Sequence, residues 1–154
     1  MPHYPRRPPR LARLFDGVEP FYFVTFNTWR RMRPLACVEV HEVFRAFCQR
    51  AETEFNVAVG RYVLMPDHVH LFVFMPPQGP PLERWVQSLR SVMGERLLAL
   101  GIPKPHWQEG FFDHVLRSEE SYGQKWEYVR LNPVRAGLCA QPENWQFQGE
   151  IVAL

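Results

Sequence analysis

The chain's 154 residues are the length of one domain, enough to bury about two-thirds of the surface its unfolded form exposes. A composition of 46% hydrophobic and 22% charged residues is globular, and no apolar run approaches the roughly 18 residues a membrane span requires. The net charge of +2 is too small to name a partner, and Cys37, Cys48 and Cys139 are too scattered for a zinc or redox motif. The N-terminus opens with Pro and Arg instead of an apolar signal core, so the expected location is the cytoplasm, with no membrane partner.

Residues 1–20 hold Pro2, Pro5, Pro8, Pro9 and Pro20 together with Arg6, Arg7, Arg10 and Arg13, and they read as an extended basic arm. Phe21 to Phe26 is a strand. Arg30, Arg31 and Arg33 follow it, and with Arg6, Arg7 and Arg10 they are candidates for gripping a phosphate backbone, where each contact releases condensed counterions. Apolar residues at Val40, Val43, Phe44, Phe47, Ala51 and Phe55 then keep helical spacing and predict an amphipathic helix over 38–55.

Two apolar runs, Val57 to Met65 and His68 to Met75, flank Pro66-Asp67, a pair suited to a tight type I turn, and predict a hairpin. Period-two alternation places His68, His70, Phe72 and Phe74 on one face and Val69, Leu71, Val73 and Met75 on the other. The histidine face should lie under helices, which leaves the Val69 face to the arm, the tail or a partner. Two imidazoles side by side on one strand can hold a divalent metal and leave its other positions open to water or substrate.

After the breaker Pro76 to Pro81, Leu82, Trp85, Val86, Leu89, Val92, Met93, Leu97 and Leu100 mark a second helix, with Gly94 inside it at a cost of about 1 kcal/mol relative to Ala. Phe111 to Arg117 reads as a weaker strand carrying His114. Ser118 is an N-cap, with Glu119 and Glu120 in the first turn, for a third helix reaching about Leu131. Pro133 ends or bends it, and a short turn of helix stops at Gly137. The tail, 141–154, should pack back on a domain spanning 21–140. Strand, helix, strand, strand, helix, strand, helix is the ferredoxin-like βαββαβ pattern, an α+β antiparallel sheet with one additional C-terminal helix.

On that last helix Tyr128 and Asn132 are four apart and share a face. If the face meets the imidazoles, a nucleophilic phenol and an amide oxygen converge on a Lewis acid site. Arg117, Arg130 and Arg135 flank the helix and are further candidates for holding phosphates, while Trp29, Trp107 and Trp126 could stack on unpaired bases. Trp85 falls on the apolar stripe and belongs to the core.

Tyr62-Val63-Leu64-Met65-Pro66-Asp67-His68-Val69-His70-Leu71 resembles the His-hydrophobic-His segment of the single-tyrosine transposases of the insertion-sequence 200 type. Trp107 to Glu120 and Tyr128 to Leu138 resemble the subgroup associated with repetitive extragenic palindromes (REP). The resemblance implies metal-dependent cleavage and rejoining of single-stranded DNA at palindromic hairpins through a 5′-phosphotyrosine. It also implies that Tyr128 is the nucleophile, that His68 and His70 are ligands of Mg²⁺ or Mn²⁺, and that Asn132 stands where the classical insertion-sequence enzymes have a glutamine ligand. Oligomeric state stays open between monomer and homodimer. Two other classes fit the residues: a non-catalytic binder of structured RNA or single-stranded DNA, and a phosphodiester hydrolase in which water attacks and Tyr128 only packs.

Overall fold

The computed structural model describes residues 20–154, so the arm's Arg6, Arg7 and Arg10 lie outside the described residues. Its elements are β1 (Phe21–Asn27), a 3-10 turn (Trp29–Arg31), α1 (Val38–Phe55), β2 (Ala58–Met65), β3 (His68–Phe74), α2 (Leu82–Ala99), β4 (Phe112–Leu116), α3 (Glu119–Arg130), α4 (Asn132–Arg135), a second 3-10 turn (Pro142–Asn144) and β5 (Gln148–Glu150). All neighbours pair antiparallel in the order β4-β1-β3-β2-β5, so β3 is the central strand, with β1 and β2 on either side of it.

Alternation divides the apolar residues between two cores. Val24, Phe26, Tyr62, Leu64, Val69, Leu71 and Val73 pack with Val40, Phe44 and Cys48 of α1 and Trp85, Leu89 and Met93 of α2. Phe21, Phe23, Val63, Phe72, Phe74 and Leu116 pack with Tyr122 and Val129 of α3. This corrects one expectation: the Val69 face is covered by the chain's own two long helices, with Phe147 of the tail beside them, and no partner is needed. The histidine face receives α3.

Local chemistry places α3 where it is. The Ser118 Oγ accepts the Ser121 N–H at 3.0 Å, satisfying one of the donors a helix start leaves over. Tyr122 and Val129 anchor the helix on the sheet, and Tyr122 stands edge-on to Phe21 at 4.9 Å. The Tyr122 ring comes so close to β2 that a Cβ on Gly60 would lie 2.8 Å from its hydroxyl, so any larger residue there would force the strand or the tyrosine to shift. A register shift between Val59 and Tyr62 sends both of those side chains to the α1–α2 face.

Two features lay beyond the sequence pattern. β5 pairs with the outer edge of β2, and the Trp145 indole donates to the Leu64 carbonyl at 3.0 Å, closing an edge that would otherwise present unpaired backbone. Gly94 is where α2 admits His106, whose Nδ1 would be 3.1 Å from an added Cβ.

Candidate active site

His68 and His70 stand on the same face of β3 with ring centroids 4.7 Å apart and planes nearly perpendicular. Each Nδ1 already has a partner: His68 Nδ1 lies 2.8 Å from Asp67 Oδ1, and His70 Nδ1 lies 2.7 Å from Thr25 Oγ1. Thr25 is paired with His70 across β1 and β3, so sheet register puts the hydroxyl there. A neighbour on one ring nitrogen sets the ring's orientation and leaves Nε2 for a ligand.

Burial favours the neutral form. His70 is pulled down to about 3, first by burial and then by the positive charge of His68, Lys125, Arg135 and Arg31. His68 is also lowered, by burial, against the opposing pull of Asp67. Asp67 is held below its ordinary value because hydrogen bonds from His68 and Arg31 outweigh its burial. Two imidazoles held neutral on one face suit a divalent cation. Among the described residues no three His, Cys, Asp or Glu side chains form a closed ligand set, which leaves further positions to water, substrate oxygens or an amide.

The basic loop is fastened to this hairpin. Thr28 N–H donates to the Asp67 carbonyl at 3.0 Å, Leu35 N–H to that of Pro66 at 3.0 Å, and Arg31 pairs with Asp67 Oδ2 at 3.0 Å. Arg30 and Arg31 both have positive φ, 52° and 56°, a conformation that costs non-glycine residues free energy and needs surrounding support. Arg30 is exposed and lies over the Trp29 ring at 5.2 Å, and Arg33 is exposed beyond it.

Tyr128 is 63% exposed on α3, and its hydroxyl has no hydrogen-bond partner among the described residues. It borders a shallow pocket of about 280 Å³ with His114, Leu116, Ser121, Gln124 and Lys125. It does not touch the imidazoles directly. Lys125 and Arg135 span the interval: both are charges felt at His70, and the Arg135 guanidinium lies 4.1 Å from the Tyr128 ring centroid. Asn132 opens α4, and its amide oxygen accepts from Arg135.

Of the other arginines, Arg130 pairs with Glu127 at 2.9 Å on the outer surface of α3. Arg117 follows Leu116, which pairs with Phe21, six residues along β1 from the Asn27–His68 row, about 20 Å at the strand rise. Structure therefore groups Arg31 and Arg135 with the imidazoles and separates Arg117 from them. Among the tryptophans, Trp85 is buried as expected, Trp107 donates its indole N–H to the Arg90 carbonyl at 3.0 Å, and Trp126 rests edge-on against Phe72 at 6.3 Å. A groove of about 910 Å³ between α1 and α2 lies on the opposite face of the sheet. Three residues escaped sequence reading: Thr25, Asp67 as a partner of His68, and Lys125. Only Asp67, adjacent to His68 at a turn, carried a local signal.

The family model described as "Transposase IS200 like" matches residues 22–129, from the first strand through Tyr128. The REP-associated tyrosine transposase of Escherichia coli K12 is 23% identical over 133 residues, covering 82% of this chain and 78% of its own length. A putative REP-associated tyrosine transposase of Haemophilus influenzae is 21% identical over 141 residues, covering 82% of this chain and 77% of its own. Among solved structures, a REP-associated tyrosine transposase described as bound to a REP hairpin superposes with a TM-score of 0.69 at 22% identity, over 84% of this chain and 75% of that one. A putative transposase from Deinococcus radiodurans gives 0.53 at 20% identity, over 72% and 88%. The two solved structures establish the α+β sheet and its helices as a transposase fold, and the family match, running through β1, the His68–His70 strand and the tyrosine helix, shows that the chain belongs to the IS200-like transposase family.

Proposed function

We propose that this transposase is a metal-dependent single-strand DNA endonuclease and strand transferase that cleaves and rejoins DNA at palindromic hairpins through a 5′-phosphotyrosine on Tyr128. The observation that carries the reading is that α3 crosses the histidine face, leaving the Tyr128 hydroxyl without a partner while both His Nδ1 atoms are engaged. A relative solved with a hairpin supports the substrate class.

In the cleavage step the Tyr128 phenol gives its proton to solvent and its oxygen bonds to phosphorus. The bond from phosphorus to the 3′ oxygen breaks, and that oxygen leaves with the electron pair and takes a proton from water. One phosphodiester replaces another, so the reverse attack by a 3′-hydroxyl rejoins DNA without a nucleotide cofactor. His68 and His70 would hold Mg²⁺ or Mn²⁺, whose Lewis acidity would polarise the scissile phosphate and offset charge on the departing oxygen. Asn132 would join them through its amide oxygen, which also accepts from Arg135. Arg30, Arg31 and Arg33 lie beside the hairpin tip, where they would meet the DNA backbone.

The test is incubation of labelled hairpin-bearing single-stranded DNA with Mn²⁺. The reading expects a denaturant-resistant protein–DNA species that Tyr128→Phe abolishes and a chelator prevents. Full product formation by Tyr128→Phe would assign the attack to water, and chelator-insensitive binding without product would leave a non-catalytic binder.

A further inference from the structure

Lys125 lies three residues before Tyr128 on α3 and borders the same pocket. Its ammonium stands 5.1 Å from the centroid of Phe23, whose ring stacks at 5.4 Å on His70. Lys125 therefore occupies the space between nucleophile and imidazoles. It is half-buried, and among the described residues no carboxylate pairs with it. Asp67 is engaged by Arg31 and His68, and Glu127 by Arg130. A cation withdrawn from water loses hydration that an aromatic face restores only in part, and such groups in proteins ordinarily have an anion. Among the described residues Lys125 has no such anion.

We propose that Lys125 is a catalytic residue, its ammonium holding a non-bridging oxygen of the phosphate that Tyr128 attacks. The inference rests on Tyr128 being the nucleophile. As the phenolate closes on phosphorus and the bond to the 3′ oxygen opens, the ammonium holds the charge of the phosphoryl oxygens in place and transfers no proton. The Arg135 guanidinium lies 4.1 Å from the centroid of the tyrosine ring, so two cations adjoin the attacking group.

The experiment compares wild type, Lys125→Met, which keeps the aliphatic stem over Phe23, and Lys125→Arg in single-turnover adduct formation with Mn²⁺. In parallel, binding is measured in EDTA to the hairpin substrate and to the same strand with a neutral methylphosphonate at the mapped cleavage position. Lys125→Met is expected to slow adduct formation by about tenfold or more while hairpin affinity changes by less than about threefold, with partial recovery in Lys125→Arg. The methylphosphonate is expected to weaken wild-type binding and to leave Lys125→Met unaffected. Equal adduct rates in wild type and Lys125→Met, or a methylphosphonate penalty equal in both, overturns the assignment while leaving Tyr128 in place. Absence of adduct from wild type removes the tyrosine reading and this assignment with it. Where Lys125→Met melts early, Lys125→Gln carries the same comparison.

Discussion

Replacing His70 by Gln removes a titrating group that the fold holds neutral, and the consequence for stability can be worked out. The unfolded chain protonates this histidine near its ordinary 6.5, whereas burial, with the cations around it, keeps the folded value at about 3. Between those values the unfolded state binds more protons than the folded state, so stability is fully present above the unfolded pKa and declines as pH falls. At about 1.4 kcal/mol per pH unit, going from about pH 7 to about pH 4.5 removes about 2.5 kcal/mol through this one ring. His68 and His41 are lowered too, by burial, and add to the wild-type slope in the same direction. Urea unfolding in EDTA at several pH values isolates the His70 share: wild type should lose about 2.5 kcal/mol more than His70→Gln across that interval. Parallel curves for the two proteins would mean that the imidazole is not held neutral, and with it would go the argument that its Nε2 is ready for a cation at neutral pH.

Removing the Asp67 carboxylate as Asn should loosen His68 and release Arg31, lowering Mn²⁺ affinity by about 10- to 100-fold in calorimetric titration; unchanged affinity would deny Asp67 an orienting role. Gly60→Ala puts a methyl group against the Tyr122 hydroxyl and should destabilise the fold by about 1–3 kcal/mol in denaturant melts, slowing adduct formation as α3 shifts; a neutral result would show that α3 yields at no cost. Tyr128→Phe, at an exposed position, should leave stability within about 0.5 kcal/mol while eliminating covalent product. Neutralising Arg30 and Arg31 should weaken hairpin affinity across sequences and flatten its dependence on salt by about 0.7–0.9 in the log–log slope per lost phosphate contact; an unchanged slope would exclude them from the backbone contacts.

The parts of this fold legible in the sequence are those set by local periodicity. The hairpin around Pro66-Asp67, the apolar spacing of α1 and α2 and the Ser118 cap all lie within a few residues of the chemistry that causes them, and they appear where the sequence places them. What escaped depends on contacts between distant segments. Gln148–Glu150 has no strand pattern of its own and becomes one because β2 offers an unpaired edge. The cover of the Val69 face could not be assigned from alternation alone, since periodicity says which residues share a face but not which helix lies over it. Thr25 is 45 residues from His70 and reaches it through sheet register. Lys125 reads in sequence as a surface lysine of an amphipathic helix, and only the packing of Tyr122 and Val129 against the sheet turns it toward the imidazoles. Asn132 was paired with Tyr128 by helical spacing, and the structure adds Arg135 as the group bound to its amide oxygen.

Peptide mapping by mass spectrometry of the denatured reaction mixture tests the central claim most directly. The account predicts that nuclease-trimmed nucleotide remains attached to the peptide containing Tyr128, in wild type and only when Mg²⁺ or Mn²⁺ is supplied. Nucleotide carried on any other residue, or on the corresponding peptide of Tyr128→Phe, would contradict it.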